Sequence, residues 1–149
     1  MKEAFEQTPI HALLQLNIRD NTEVGYSTVD MPITPNTFGS TGNVHGGAIA
    51  TMLDVACASA AARASGFEPG LNTLVTADLH VRYLGRPHGD NLRAEARVVK
   101  VGRQLVVVEG KVLDDEDRLI ASADFAAMIV PLRGPLRPDA AHEPLAAEM

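Results

Sequence analysis

The sequence predicts an α+β domain in which one antiparallel sheet wraps around a long, Ala-rich central helix. Three observations lead there. Residues 46–65 form one stretch with eight Ala between Ala48 and Ala64 and few polar side chains. Four extended segments rich in Val, Leu, Ile and Thr follow, at 71–84, 91–101, 105–113 and 119–130. The breaks between them are short, which favours antiparallel hairpins, because a parallel neighbour needs a crossover of a dozen or more residues.

Along the chain, Ile10, Leu13 and Leu14 fit one short amphipathic helix over 8–16, with Thr8 as N-cap and Pro9 at the first helical position. Val24, Tyr26, Thr28 and Val29 mark a strand over 23–31. Residues 32–43 hold two Pro, two Gly and several Ser, Thr and Asn, which makes them a loop. In 46–65 alanine is the best helix former, and a helix so poor in polar groups must be mostly buried. Gly66 is the expected stop, with Pro69 beyond it. In Val75, Ala77, Leu79, Val81 and Tyr83 every second residue is apolar or aromatic, the period of a half-buried strand. That parity assigns Thr76 to the polar face. The four segments read as a meander. Residues 131–149 hold four Pro and no aromatic residue and read as a loose tail, which leaves 1–130 as a single domain.

The 149 residues suit one domain and bury enough surface to need no staple. The lone Cys57 excludes an internal disulfide and suits a reducing compartment, and no Cys or His spacing matches a zinc site. The formal charge of −6 argues against nucleic-acid binding. No apolar run approaches the ~20 residues that span a bilayer, and the acidic start lacks a signal-peptide core, so the expectation is a cytoplasmic protein with no membrane partner.

Two features carry chemistry. The loop-to-helix junction reads Gly42-Asn43-Val44-His45-Gly46-Gly47-Ala48. Adjacent glycines at a helix start either make a tight turn or leave backbone N–H groups open, at the positive end of the helix dipole, to an anion or oxyanion. Asp54 lies inside the apolar helix and must find a donor, reach water or carry a raised pKa, which makes it either a satisfied structural carboxylate or a functional one. Cys57, one turn beyond, reads as packing rather than as a nucleophile.

His45-Gly46-Gly47 with Asp54 nine residues after the His resembles the hotdog-fold acyl-CoA thioesterases, most closely the phenylacetyl-CoA and 4-hydroxybenzoyl-CoA type. The likeness continues through the segments 76–84, 89–96 and 98–103, and covers roughly 10–130. It implies hydrolysis of a CoA thioester with no cofactor required, the CoA moiety being bound as part of the substrate. Asp54 is implied as general base or nucleophile, the N–H of Gly46 or Gly47 as the group that polarises the thioester carbonyl, and Thr76 as the hydroxyl that orients water. His45 is implied to shape the turn by hydrogen bonding. The resemblance also implies chains paired edge to edge as a homodimer or homotetramer, with the active site between subunits. Many such relatives carry Asn or Gln six residues before the motif His, where this chain has Gly39; Asn36 and Asn43 stand nearby. Gly39 favours the alternative of a non-catalytic acyl-CoA-binding module. A hotdog dehydratase is disfavoured, because its Asp-x-Asn-Pro-x-His pattern is absent.

From Arg82 to Arg103 six bases face only Asp90 and Glu95, a local charge of +4. Such a window suits the phosphates of CoA, and Arg86, Lys100 and Arg103, at or beside turns, are the candidate contacts. A solvated strand face reads equally well.

Overall fold

The computed structural model describes residues 8–132. Residues 1–7 and most of the expected tail, 133–149, lie outside the described residues. In chain order the elements are α1 (Pro9–Leu13), β1 (Asn17–Ile18), β2 (Tyr26–Pro32), a 3₁₀ turn (Pro35–Thr37), α2 (Gly46–Ala64), β3 (Asn72–Tyr83), β4 (Asn91–Val101), β5 (Leu105–Leu113) and β6 (Leu119–Pro131). The six strands form one antiparallel sheet in the order β1-β2-β4-β5-β6-β3, and α2 packs against it.

That order corrects the four-strand meander. β4, β5 and β6 are consecutive neighbours, but β3 pairs with β6 at the far edge instead of with β4. Residues 84–90 therefore cross the end of the sheet. Three strand spacings are about 14 Å, within the reach of seven extended residues. The crossing is pinned by the β5–β6 turn. The buried Asp114 accepts from the His88 N–H at 2.9 Å and from the Arg118 guanidinium at 3.1 Å, and Asp115 accepts from the Asp90 N–H at 2.7 Å.

Burial opposes the ionisation of Asp114, yet the N–H groups of His88, Arg118 and Glu116 and the Arg118 guanidinium together hold its pKa at about 2, below the ordinary 3.8. The sign follows. A lowered native pKa stabilises the fold above 3.8, and that contribution is lost as pH falls toward about 2. Thermal unfolding followed against pH checks this. Asp114→Asn is expected to lower Tm by roughly 5 °C near neutrality and to flatten the fall in Tm between about pH 4 and pH 2.

The core lies between α2 and the inner face of the sheet. Ile49, Met52, Leu53, Ala56, Cys57, Ala60 and Ala61 of α2 meet Val29, Leu92, Ala94, Ala96, Val106, Val108, Val112, Ala123 and Phe125. Small helix residues let the strands approach closely, and Gly110 on β5 takes this to its limit. A Cβ there would lie 2.9 Å from Cys57 Sγ and 3.1 Å from Leu53 Cδ2. Gly110→Val overpacks this contact and is expected to destabilise the protein by about 2 kcal/mol or more in urea unfolding.

Local departures have local causes. The first helix ends at Leu13 because Gln15 adopts φ 54°, outside helical space, and Leu14 and Leu16 then turn into the core. Thr8 is its N-cap but makes no side-chain capping bond to the helix. α2 is ended by Ser65, which is extended (φ −107°, ψ −179°), and not by a left-handed Gly66. The two-residue β1 is an edge strand too short for the sequence pattern to reveal.

Candidate active site

The approach to α2 is a small closed loop. Phe38 bridges Val44, the Gly39 N–H donates to the Asn43 carbonyl at 2.7 Å, and Gly42 turns the chain at φ +76°. The His45 N–H then donates to the Thr37 carbonyl at 2.7 Å. Thr37 is fully buried, so the loop is anchored to the core just before the helix begins.

His45 is the N-cap, in extended conformation, and its Nδ1 accepts from the Gly47 N–H at 2.8 Å. Imidazole is an unusual cap, and the sequence offered no Ser, Thr, Asp or Asn to signal one here. The bond separates the two glycines. The Gly47 N–H is occupied by its own cap, whereas among the described residues no acceptor engages the Gly46 N–H. Of the two expected donors, Gly46 is thus the one open to a ligand. A side chain at either position would crowd a neighbouring ring. A Cβ at Gly47 would lie 2.9 Å from His45 Nδ1, and one at Gly46 would lie 3.2 Å from the Tyr83 ring.

Asp54 finds its donor in Thr76, whose hydroxyl donates to Asp54 Oδ1 at 2.7 Å. This corrects the parity assignment of Thr76. β3 carries a β-bulge: Thr76 pairs with Ala127 and Asp78 with Ala126, so Ala77 has no partner in β6. The extra residue reverses the alternation. Thr76 therefore shares the inner, helix-facing side with Leu79 and Val81, which pack on the core. The Asp54 side chain is only half-buried and Thr76 is exposed, so the pair opens to solvent.

The bulge places a further residue that sequence reasoning missed. Tyr83, at the end of β3, faces the helix start and donates its hydroxyl to the Gly46 carbonyl at 2.8 Å. The apolar alternation already put it on the same face as Leu79 and Val81, but did not place it against the helix start.

Other candidates stand apart. The Asn43 carbonyl closes the loop, and its exposed side chain makes no hydrogen bond among the described residues. Gly39 lies beside His45, where an added Cβ would sit 3.5 Å from the ring, an ordinary contact. Burial, with Asp54 adding to it, pushes the Cys57 thiol up to about 12, so it is protonated and a poor nucleophile. The +4 window is not one patch. Arg82 meets Asp124, Arg93 meets Glu95 and Asp117, and Arg97 meets Glu23. Arg86, Lys100 and Arg103 have no ion-pair partner among the described residues, but they lie at opposite ends of the 11-residue β4, roughly 33 Å apart at about 3.3 Å per residue.

Comparison with known proteins bears on this arrangement. Residues 41–121 match the thioesterase superfamily, a span that contains the His45 turn, all of α2 and the Thr76–Tyr83 stretch of β3. The chain belongs to the thioesterase superfamily. A Bacillus halodurans protein solved with CoA is 31% identical to this superfamily member and covers 89% of it, with 85% of its own length matched and a TM-score of 0.77. A thioesterase family protein of Silicibacter pomeroyi is 28% identical, covers 88% of this chain and 96% of its own, and also has a TM-score of 0.77. A Halobacterium salinarum protein provisionally named an esterase is 41% identical over 76 residues, 51% of this chain and 49% of that relative, so the chain spans about half the length of the relative it matches. The curled sheet around one helix in this superfamily member is the hotdog fold. Among the described residues no helix is long and apolar enough to cross a membrane, and no group of three or more His, Cys, Asp or Glu is placed to hold a metal.

Proposed function

We propose that this chain hydrolyses a CoA thioester to a free carboxylic acid and CoA, with Asp54 as general base. The observation that carries the reading is the Thr76–Asp54 hydrogen bond, formed on a half-exposed carboxylate in the helix whose open Gly46 N–H lies at its positive end. Membership of the thioesterase superfamily and the CoA-bound relative support it.

The proposed site joins two copies of the chain. Gly46 and Asp54 are eight residues apart in α2, about 12 Å along the axis. One reacting carbonyl cannot lie about 3 Å from both. A second copy, antiparallel to the first, brings its Asp54 to the Gly46 of its neighbour. β3 suits this pairing: it is an edge strand of 12 residues with one side unpaired in the sheet, and it carries both Thr76 and Tyr83. A dimer, alone or doubled into a tetramer, covers that edge.

In the proposed reaction the Gly46 N–H receives the thioester carbonyl oxygen. The Thr76 hydroxyl donates a hydrogen bond to Asp54 Oδ1, which leaves the hydroxyl oxygen's lone pairs to accept a hydrogen bond from one O–H of a water, while the other carboxylate oxygen of Asp54 takes the proton of the water's second O–H. The hydroxide attacks the carbonyl carbon, and the oxyanion is held at the helix N-terminus. Collapse breaks the C–S bond, and the proton on Asp54 passes to the departing thiolate. Arg86, Lys100 and Arg103, which have no ion-pair partner among the described residues, are the candidate contacts for the CoA phosphates. No cofactor takes part.

Single turnover in H₂¹⁸O tests the role of Asp54. The general-base route puts ¹⁸O into the first equivalent of acid. Unlabelled first-turnover acid, with ¹⁸O in Asp54, would instead establish a covalent anhydride route. The panel of thioesters begins with phenylacetyl-CoA and 4-hydroxybenzoyl-CoA, on the strength of the His45 to Asp54 motif, and extends to aliphatic chains. Saturable binding without CoA release would favour the non-catalytic module.

A further inference from the structure

The peptide group between Gly46 and Gly47 is gripped from both ends. Its carbonyl accepts the Tyr83 hydroxyl at 2.8 Å, and its N–H donates to His45 Nδ1 at 2.8 Å. The three groups form a hydrogen-bonded chain in which each bond polarises the next. The Tyr83 ring also fills the space beside Gly46, 3.2 Å from where a Cβ would stand, so the grip is steric as well as polar. The preceding peptide, which carries the open Gly46 N–H, is held only by its carbonyl: the His45 oxygen accepts from Ala48 and Ile49 at 3.0 and 3.3 Å. Its orientation therefore depends on the gripped peptide next to it.

We infer that Tyr83 is a positioning residue that aims the Gly46 N–H at the thioester carbonyl. The inference rests on the proposed hydrolysis and adds to it. Tyr83 acts through the Gly46 backbone, whose carbonyl its hydroxyl holds at 2.8 Å. Tyr83 is 54% exposed, so the hydroxyl contributes little to the core, and loss of the bond falls on the turn and not on global stability. β3 then serves both halves of the site, through Thr76 on the carboxylate and Tyr83 on the donor, because the Ala77 bulge turns both to the inner face.

Tyr83→Phe is the test, since it removes only the hydroxyl and keeps the ring. The expected kcat falls roughly tenfold with KM within about twofold, a fraction of the ~100-fold or greater loss when a donor is removed outright. Tm stays within about 2 °C. In ¹⁵N–¹H spectra the Gly47 amide proton moves upfield and the Gly46 amide shifts, while amides at the far end of α2 do not. An unchanged kcat in Tyr83→Phe, alongside an inactive Asp54→Asn, would overturn the inference and leave the hydrolase reading standing. Absence of thioester hydrolysis by the unmodified protein would sink the hydrolase reading instead, and the amide spectra would then decide the grip alone: unmoved Gly46 and Gly47 signals refute it.

Discussion

Asp54→Asn is expected to lower kcat/KM on a CoA thioester by roughly a thousandfold while leaving Tm nearly unchanged. Asparagine keeps the shape and still accepts the Thr76 hydroxyl, so the 2.7 Å contact survives. What disappears is the capacity to take a proton from water. The side chain is half-buried, stands clear of the sheet core and makes no other hydrogen bond among the described residues, so stability has little to lose. Thr76→Ala should be milder, roughly tenfold to a hundredfold, because the base remains and only its orientation of water suffers. A variant with wild-type turnover at position 54 would remove the carboxylate from the mechanism.

Gly46→Pro carries the second large effect. Proline is tolerated at the first position of a helix, and His45 already has the extended backbone that a following proline demands (φ −61°, ψ 130°). The substitution deletes the Gly46 N–H, which makes no hydrogen bond among the described residues. It also brings new atoms against the Tyr83 ring, as would any side chain here, so Gly46→Ala is the reference that keeps the N–H. Relative to Gly46→Ala, Gly46→Pro is expected to lower kcat about 100-fold or more. The two lesions should complement each other. If each site takes Gly46 from one copy and Asp54 from the other, an equal mixture of Asp54→Asn and Gly46→Pro chains, unfolded and refolded together, recovers about a quarter of wild-type activity. Half of the dimers are mixed, and each mixed dimer has one intact site. A site contained within one chain gives no recovery.

Much of the fold was legible because local signals agreed. The start of α2 and both ends of β4 and β5 fall where the Ala-rich run and the apolar segments place them. The partner of β3 was not legible, since a seven-residue connection suits a hairpin as well as a crossing, and the choice depends on the closure of the whole sheet. One unpaired residue, Ala77, then inverted the inferred facing of Thr76, as a register error of one always does. At the site, residue types could be read and their meetings could not. Asp54, Thr76, Gly46 and Gly47 were all nominated. That Gly47 is occupied by His45, that Thr76 reaches Asp54, and that Tyr83 holds Gly46 depend on side-chain directions that no spacing encodes. The basic window shows the opposite failing. Its charges are clustered in sequence, but carboxylates from elsewhere in the chain pair with three of them and the length of β4 separates the rest.

The most direct measurement is free-thiol release from a panel of aromatic and aliphatic acyl-CoA thioesters by the full chain, with Asp54→Asn beside it. Saturable release of CoA by the wild type, abolished in the variant, is the predicted result. No release from any thioester, or equal release by both proteins, would contradict the assignment of this site to thioester hydrolysis through Asp54.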